Sequence, residues 1–213
     1  MRPTLLALGL AVGLGIAGPT LAQSATPGQP PLTALTKDSG TPMPAEQKRV
    51  HFDHAELHIA VKPATQSIDA SATLTFTALA PTDVLLLDLD RNLPVSAVSI
   101  DGKALARGAW SNPDGRLRIQ LPQAVAKGGR LSATIAYGGK PHVAKKAPWD
   151  GGFVWSHTKT GQPWVGSAVE GEGCDLFWPC IDQPDGKPDL VDLYVTVPKP
   201  LVAPGNGVLV GVT

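Results

Sequence analysis

A chain of 213 residues with 43% hydrophobic and 17% charged residues has the length and composition of one folded domain with a real core, which excludes disorder throughout. Eighteen Lys plus Arg balance eighteen Asp plus Glu. There is neither a basic field to collect a phosphate backbone nor an acidic block to act as a solvating tail, so nucleic acid is not an expected partner.

The chain opens with Arg2, an apolar run from Leu5 to Ala17, and then Gly18-Pro-Thr-Leu-Ala22. These have the order of n-region, h-region and small-residue cleavage site in an export signal, and cleavage is expected after Ala22. The run is shorter than the ~20 residues that span a bilayer and no second one follows, so no membrane span is expected after cleavage. Gln23 at the cut, where a lipid anchor would need Cys, leaves a soluble periplasmic or secreted product as the expectation. Residues 23–48 hold Ser24-Ala-Thr-Pro-Gly-Gln-Pro-Pro31 and Thr41-Pro-Met-Pro44. Such a mixture buries little apolar surface and reads as a flexible leader.

From Arg49 the apolar pattern takes a period of two. Leu57, Ile59 and Val61 fall on one face with Glu56, His58 and Ala60 on the other, and Ala72, Leu74 and Phe76 alternate with threonines and Ser71. Further strands are predicted at 84–89, 95–100, 117–121, 131–137 and 190–197. Turn residues separate them at Pro63-Ala-Thr-Gln66, Asn92-Leu-Pro94, Asp101-Gly102, Asn112-Pro-Asp-Gly115, Lys127-Gly-Gly129 and Gly138-Gly139. No stretch of ten or more residues beyond the signal keeps a helical stripe. Residues 49–213 are therefore predicted to be all-β, a sandwich or a large curved antiparallel sheet.

Between these strands lies the stretch richest in candidate chemistry, Glu170-Gly-Glu-Gly173 followed by Trp178-Pro-Cys-Ile-Asp182-Gln-Pro-Asp-Gly-Lys187. Glycines permit positive φ and close approach, prolines fix φ and remove donors, and a rigid irregular loop carrying acids is where sites are built. Asp182 followed by x-Pro is suited to accept backbone N–H bonds and fix the loop, with Pro184 and Lys187 as scaffolding. Cys174 and Cys180 have five residues between them across it. An oxidising compartment permits a disulfide, and a small buried thiol is the alternative. A metal site at the cysteines lacks two further ligands. His54, Glu56 and His58 share a strand face, which formally allows a metal, although solvent-facing strands carry such residues routinely. The tryptophans at 149, 155, 164 and 178, with Phe153 and Phe177, read as core or a domain interface, with a sugar- or peptide-binding surface as the alternative.

Trp-Pro-Cys-Ile-Asp-Gln-Pro-x-x-Lys at 178–187, then Val191-Asp-Leu-Tyr-Val-Thr-Val-Pro198 and Ala203-Pro-Gly-Asn-Gly207, resembles the N-terminal domain of the aminopeptidase N and leukotriene hydrolase family of zinc peptidases. The run Val84 to Asp90 adds weaker likeness. The resemblance implies a saddle-like sheet with further strands beyond Thr213, so that the chain reads as truncated at its C-terminal end. It also implies that an acid or Gln twelve residues before the Asp of Asp-x-Pro grips the substrate's free amino group. Here that residue is Glu170, with Glu172 as the second carboxylate. The family's His-Glu-x-x-His zinc helix and Gly-x-Met-Glu-Asn strand do not occur in these 213 residues. The nearest approach, His54-Ala-Glu-Leu-His58, sets its Glu one position too late, on the wrong side of a helix for the base.

The expectation is therefore an exported substrate-anchoring and structural β-domain with no catalytic residue, metal or cofactor of its own. Its expected partners are a thermolysin-like catalytic domain, which holds the zinc in complete relatives, and the N-terminus of a peptide substrate. A free-standing periplasmic β-sandwich that binds peptide or carbohydrate is the alternative. A degenerate, non-catalytic relative acting as an interaction domain is the third reading.

Overall fold

The computed structural model describes residues 30–37, 40–147, 149 and 151–213. The expected signal peptide, residues 1–22, lies outside them, as do 23–29, 38 and 39 of the leader. Eleven strands follow in chain order: β1 (Val50–Lys62), β2 (Ser67–Ala78), β3 (Thr82–Asp88), β4 (Val95–Ile100), β5 (Lys103–Ala104), β6 (Trp110–Ser111), β7 (Arg116–Val125), β8 (Arg130–Gly139), β9 (Gly152–His157), β10 (Pro163–Ala168) and β11 (Leu190–Thr196). Among the described residues, helix is confined to one α-helical turn at Ala34–Lys37 and a few short 3-10 turns. No helix of the described residues is long and apolar enough to cross a membrane.

The strands form a six-stranded sheet in the order β11-β1-β2-β8-β4-β5, a three-stranded sheet β3-β7-β6 and a hairpin β10-β9. Alternation explains the two larger layers: Leu57, Ile59, Leu74, Phe76, Leu131 and Ile135 from one meet Leu85, Leu87, Leu117 and Ile119 from the other in a single buried core. The core aromatics Phe52 and Phe76 stack at 4.4 Å between ring centroids. The architecture is an all-β sandwich, as the period-two pattern predicts.

Three features differ from the expectation. β11 joins β1 in parallel, with Leu57 opposite Leu193 and Ile59 opposite Val195, so the large sheet is mixed rather than antiparallel. Gly138-Gly139, read as a turn, lies at the end of β8, where a Cβ on Gly138 would come within 2.5 Å of the Ile68 carbonyl. These glycines serve close approach of β2 and β8 instead of a reversal. The described part of the leader is packed against the domain: Thr36 and Gln47 are buried, and the Thr33 hydroxyl donates to the Asp114 carbonyl at 2.5 Å. Gly115 at φ 96° leaves the notch that Thr36 fills, since a Cβ there would stand 2.4 Å from the Thr36 hydroxyl. Hydroxyl and amide groups that satisfy exposed backbone can dock a segment that has little apolar surface to bury.

β1 carries a bulge. Phe52 pairs with Phe76 and His54 with Thr75, which leaves Asp53 unpaired. Val50 and Phe52 point inward before it and Ala55, Leu57 and Ile59 after it, so the outer face of β1 presents His51, Asp53, His54, Glu56 and His58. The face shared by His54, Glu56 and His58 is thus a strand face. His58 bonds Glu56 at 2.9 Å and stacks on Tyr194 of β11 at 4.4 Å, while His54 bonds Asp192 at 3.0 Å.

Candidate functional site

The hairpin β9–β10 was not legible as strands. It delivers the chain to Glu170 two residues past the end of β10. The Gly173 N–H donates to the Val169 carbonyl at 2.8 Å and closes a tight turn, with Gly171 at φ 91° and Gly173 at φ 100°. Non-glycine residues pay strain at such angles, so the two glycines determine the turn. Glu170 at its crest is exposed and has no hydrogen-bonding or ionic partner among the described residues. Glu172 behaves differently. It is half-buried, with Oε2 shut away from solvent and unpartnered, and it presses on Gly151, where a Cβ would come within 2.5 Å of that oxygen. The two carboxylates thus differ in exposure.

The remainder of the loop is fastened at several points. Cys174 and Cys180 form a disulfide with their Cα atoms 6.3 Å apart. The Asp182 carboxylate accepts the Cys174 N–H at 3.3 Å, and a Cβ on Gly173 would collide with that carboxylate at 2.0 Å. Asp182 therefore fixes the turn bearing Glu170 from eight residues away, across the bridged segment. Pro184 opens a 3-10 turn, Pro184–Gly186, whose Gly186 packs on Ile181. Lys187 is exposed and makes no ion pair among the described residues.

The anchor on the sandwich side is Asp88, at the end of β3. Its backbone exchanges hydrogen bonds with Cys180 at 2.7 and 3.0 Å. Its Oδ2 accepts the Asp182 N–H at 3.0 Å and Gln47 Nε2 at 2.7 Å, while Arg116 Nε lies 3.5 Å from Oδ1. The Tyr137 hydroxyl of β8 donates to the Phe177 carbonyl at 3.0 Å, and burial holds its pKa well above the ordinary tyrosine range. The leader closes the far side: Gln183 Nε2 donates to the carbonyls of Gly40 and Thr41, both at 3.1 Å.

Beneath the loop sit two buried acids. Asp90 is raised above the ordinary carboxylate range by burial, against which the Asn92 backbone and side-chain donors work at 3.0 and 3.2 Å. Asp175 is 1% exposed, and neither carboxylate oxygen has a well-formed hydrogen bond among the described residues, although the nearby Thr36 hydroxyl weakly favours the charged form. Burial first, then the charges of Asp182, Asp88 and Asp90, push it up to about 9. It is a neutral acid at pH 7. Asp88, Asp90 and Asp175 were missed as members of this region. The only sequence signal was acids ending the apolar run Val84 to Asp90.

Among the aromatics, Phe153 and Trp178 belong to the core, Phe153 stacks on Trp155 at 5.4 Å, and Trp149 and Trp164 are exposed. An open groove of about 450 Å³ adjoins the loop, lined by Met43, Gln47, His51, Leu79, Ile181 and Gln183 among others.

Two clusters of the described residues bring three metal-capable donors together, Cys174 with Cys180 and Asp182, and His51 with Asp53 and Asp189. The first has no thiolate to offer, because both sulfurs are in the disulfide. Neither has the donor set of the zinc helix sought in the sequence, and no hydrolytic step is drawn through a metal on these residues.

No protein-family model matches the chain and no curated protein matches its sequence. Solved structures do. A two-domain M1 zinc metallopeptidase variant bound to L-arginine is 25% identical over 77% of this chain, with a TM-score of 0.58. The variant of the Deinococcus radiodurans M1 zinc metallopeptidase bound to a Tyr-Ser-Ala substrate is 25% identical over 76%, with a TM-score of 0.57. Native leukotriene A4 hydrolase from Saccharomyces cerevisiae shares the fold at 23% identity over 79% of this chain, with a TM-score of 0.55. The chain spans 36% of the length of the first two and 27% of the third.

Proposed function

We propose that this chain, which has the fold of the N-terminal domain of the M1 zinc metallopeptidases, is the substrate-anchoring and structural domain of an exported aminopeptidase-like protein. The observation that carries this is the exposed, unpartnered carboxylate of Glu170 on a turn held by two positive-φ glycines, the Asp182 bond and the disulfide. A substrate's α-ammonium is the complementary charge. A turn whose backbone is fixed before substrate arrives leaves only the Glu170 side chain to be ordered when that charge-assisted hydrogen bond forms. The half-buried Glu172 is given a packing role. Zinc, the general base and the rest of the reaction belong to a thermolysin-like catalytic domain beside this one, where zinc would activate the attacking water. Export is supported by the disulfide, which forms and persists in oxidising compartments, and by the signal-like residues 1–22.

The coding sequence beyond Thr213 is expected to encode a His-Glu-x-x-His segment, and a stop codon there would remove the peptidase reading. In the protein that includes that segment, Glu170→Ala should lower kcat/KM for peptides with a free N-terminus by roughly 10- to 100-fold, the worth of one charged hydrogen bond. N-acetylated peptides should be poor substrates for both forms. Unchanged kinetics with Glu170→Ala would refute the anchoring role.

A further inference from the structure

We propose that His51, Asp53 and Asp189 form a binding site for a divalent transition-metal ion of the zinc class, clipping the start of β11 to the bulge of β1. The three donors converge: His51 Nε2 lies 2.9 Å from Asp189 Oδ2 and 3.8 Å from Asp53 Oδ1, and all three donor atoms fall within 4.8 Å of one another. An ion bound at about 2.1 Å to each of two tetrahedral ligands sets them about 3.4 Å apart, so the two separations from His51 bracket the requirement, and the carboxylates, within 4.8 Å of each other, close on the ion by side-chain rotation.

The backbone holds each donor where it is. His51 and Asp53 share the outer face by plain alternation on either side of the inward Phe52, and the bulge leaves Asp53 without a cross-strand partner on β2. Asp189 is fixed by its own N–H, which donates to the Phe52 carbonyl at 3.1 Å. The Thr77 hydroxyl donates to Asp53 Oδ2 at 2.7 Å, which orients the carboxylate and leaves Oδ1 turned toward the imidazole. An outer hydrogen bond on the oxygen that does not ligate is the arrangement that holds ligating carboxylates in place.

Charge and access agree. A neutral imidazole with two carboxylates offers a doubly negative pocket. The cations around it are Arg130, 3.9 Å from Asp53 Oδ2 and largely exposed, and Lys48, which lines the adjoining groove together with His51. Both are flexible and solvated, and neither lies between the donors. His51 opens on the groove, so water completes the coordination. One imidazole and two carboxylates is an intermediate donor set, suited to Zn²⁺, Co²⁺ or Mn²⁺ more than to Ca²⁺ with its demand for six or more oxygens.

Titration of the purified chain with Co²⁺, followed by its visible absorption, and with Zn²⁺ by calorimetry should each show one saturable equivalent. Asp189→Asn, at an exposed position that tolerates substitution, and His51→Ala should each weaken binding at least about tenfold. His54→Ala, which loses only the neighbouring Asp192 pair, should bind as the parent does. Zn²⁺ should also slow amide exchange in β11 of the parent but not of Asp189→Asn. Absence of a saturable equivalent, binding unaltered in both ligand variants, or binding lost in His54→Ala would overturn the site and leave His51 with an ion pair alone.

Discussion

Asp175 makes the stability of this domain depend on pH in the direction opposite to most surface carboxylates. Its carboxyl is buried with no strong hydrogen-bond donor among the described residues and titrates at about 9, against 3.8 for a free aspartate, so the folded state keeps a proton that the unfolded chain has released. A folded-state pKa above the unfolded one means that stability falls as pH rises, beginning near the unfolded value and continuing until the folded group ionises. At ~1.36 kcal/mol per pH unit and per proton, the loss between about pH 5 and about pH 8 is roughly 4 kcal/mol, and relaxation around the buried group reduces it to about 2–4 kcal/mol. Asp175→Asn removes the titration while keeping the shape. Its amide brings a hydrogen-bonding demand of its own, but that cost is the same at every pH. Urea unfolding of parent and variant at several pH values across this window, at fixed salt, isolates the difference. The stability of the variant relative to the parent should increase with pH by about 2–4 kcal/mol over the window. A difference that stays flat would show that Asp175 is ionised or solvated in the folded state, and the reasoning would fail.

Gly173→Ala places a Cβ against the Asp182 carboxylate at φ 100° and should destabilise the domain by about 2 kcal/mol or more, seen as a lower urea midpoint. On the proposed function, a protein that also carries the catalytic domain should lose turnover with this substitution, because the turn bearing Glu170 must move. Replacing Cys174 and Cys180 together by Ser opens a short loop, and the chain-entropy model gives a loss of about 2 kcal/mol. Reducing agent should reproduce that loss in the parent and have no effect on the double variant.

Strand identity was legible wherever one face of a strand is buried, because alternation at Leu57, Ile59, Leu74 and Phe76 has a single cause, the sandwich core. The hairpin β9–β10 escaped for the same reason in reverse: most of its residues are exposed or half-buried on both faces, so burial imposes no period on it. β11 was placed correctly, but its parallel direction depends on which edge it reaches, and no local pattern encodes that. Composition suggested a flexible leader, yet Thr33, Thr36 and Gln47 attach the described part through individual polar contacts that leave no trace in hydrophobicity.

At the candidate site, Glu170 and Asp182 stood out in the sequence through the spacing of Glu, Asp and Pro in the motif it resembles, and the anchoring role of Glu170 remains the proposal tested above. The inward turn of Glu172 and the roles of Asp88 and Asp175 were not. Asp88 is adjacent to the loop only because β3 ends where Cys180 arrives, and Asp175 is perturbed only because three other acids and the domain interior surround it.

The parallel seating of β11 also bears on the order of assembly. Its contact with β1 joins positions 138 residues apart, as between His54 and Asp192, whereas β2 and β8 meet at a separation of 61 and β3 and β7 at 37. Closure of the longest span waits until the shorter ones have drawn its ends together, since the entropy of ordering intervening chain is lost before any contact is gained. The two sheets can therefore condense while β11 is still unattached. Pulse-labelled amides of β11 should then be the last to gain protection during refolding.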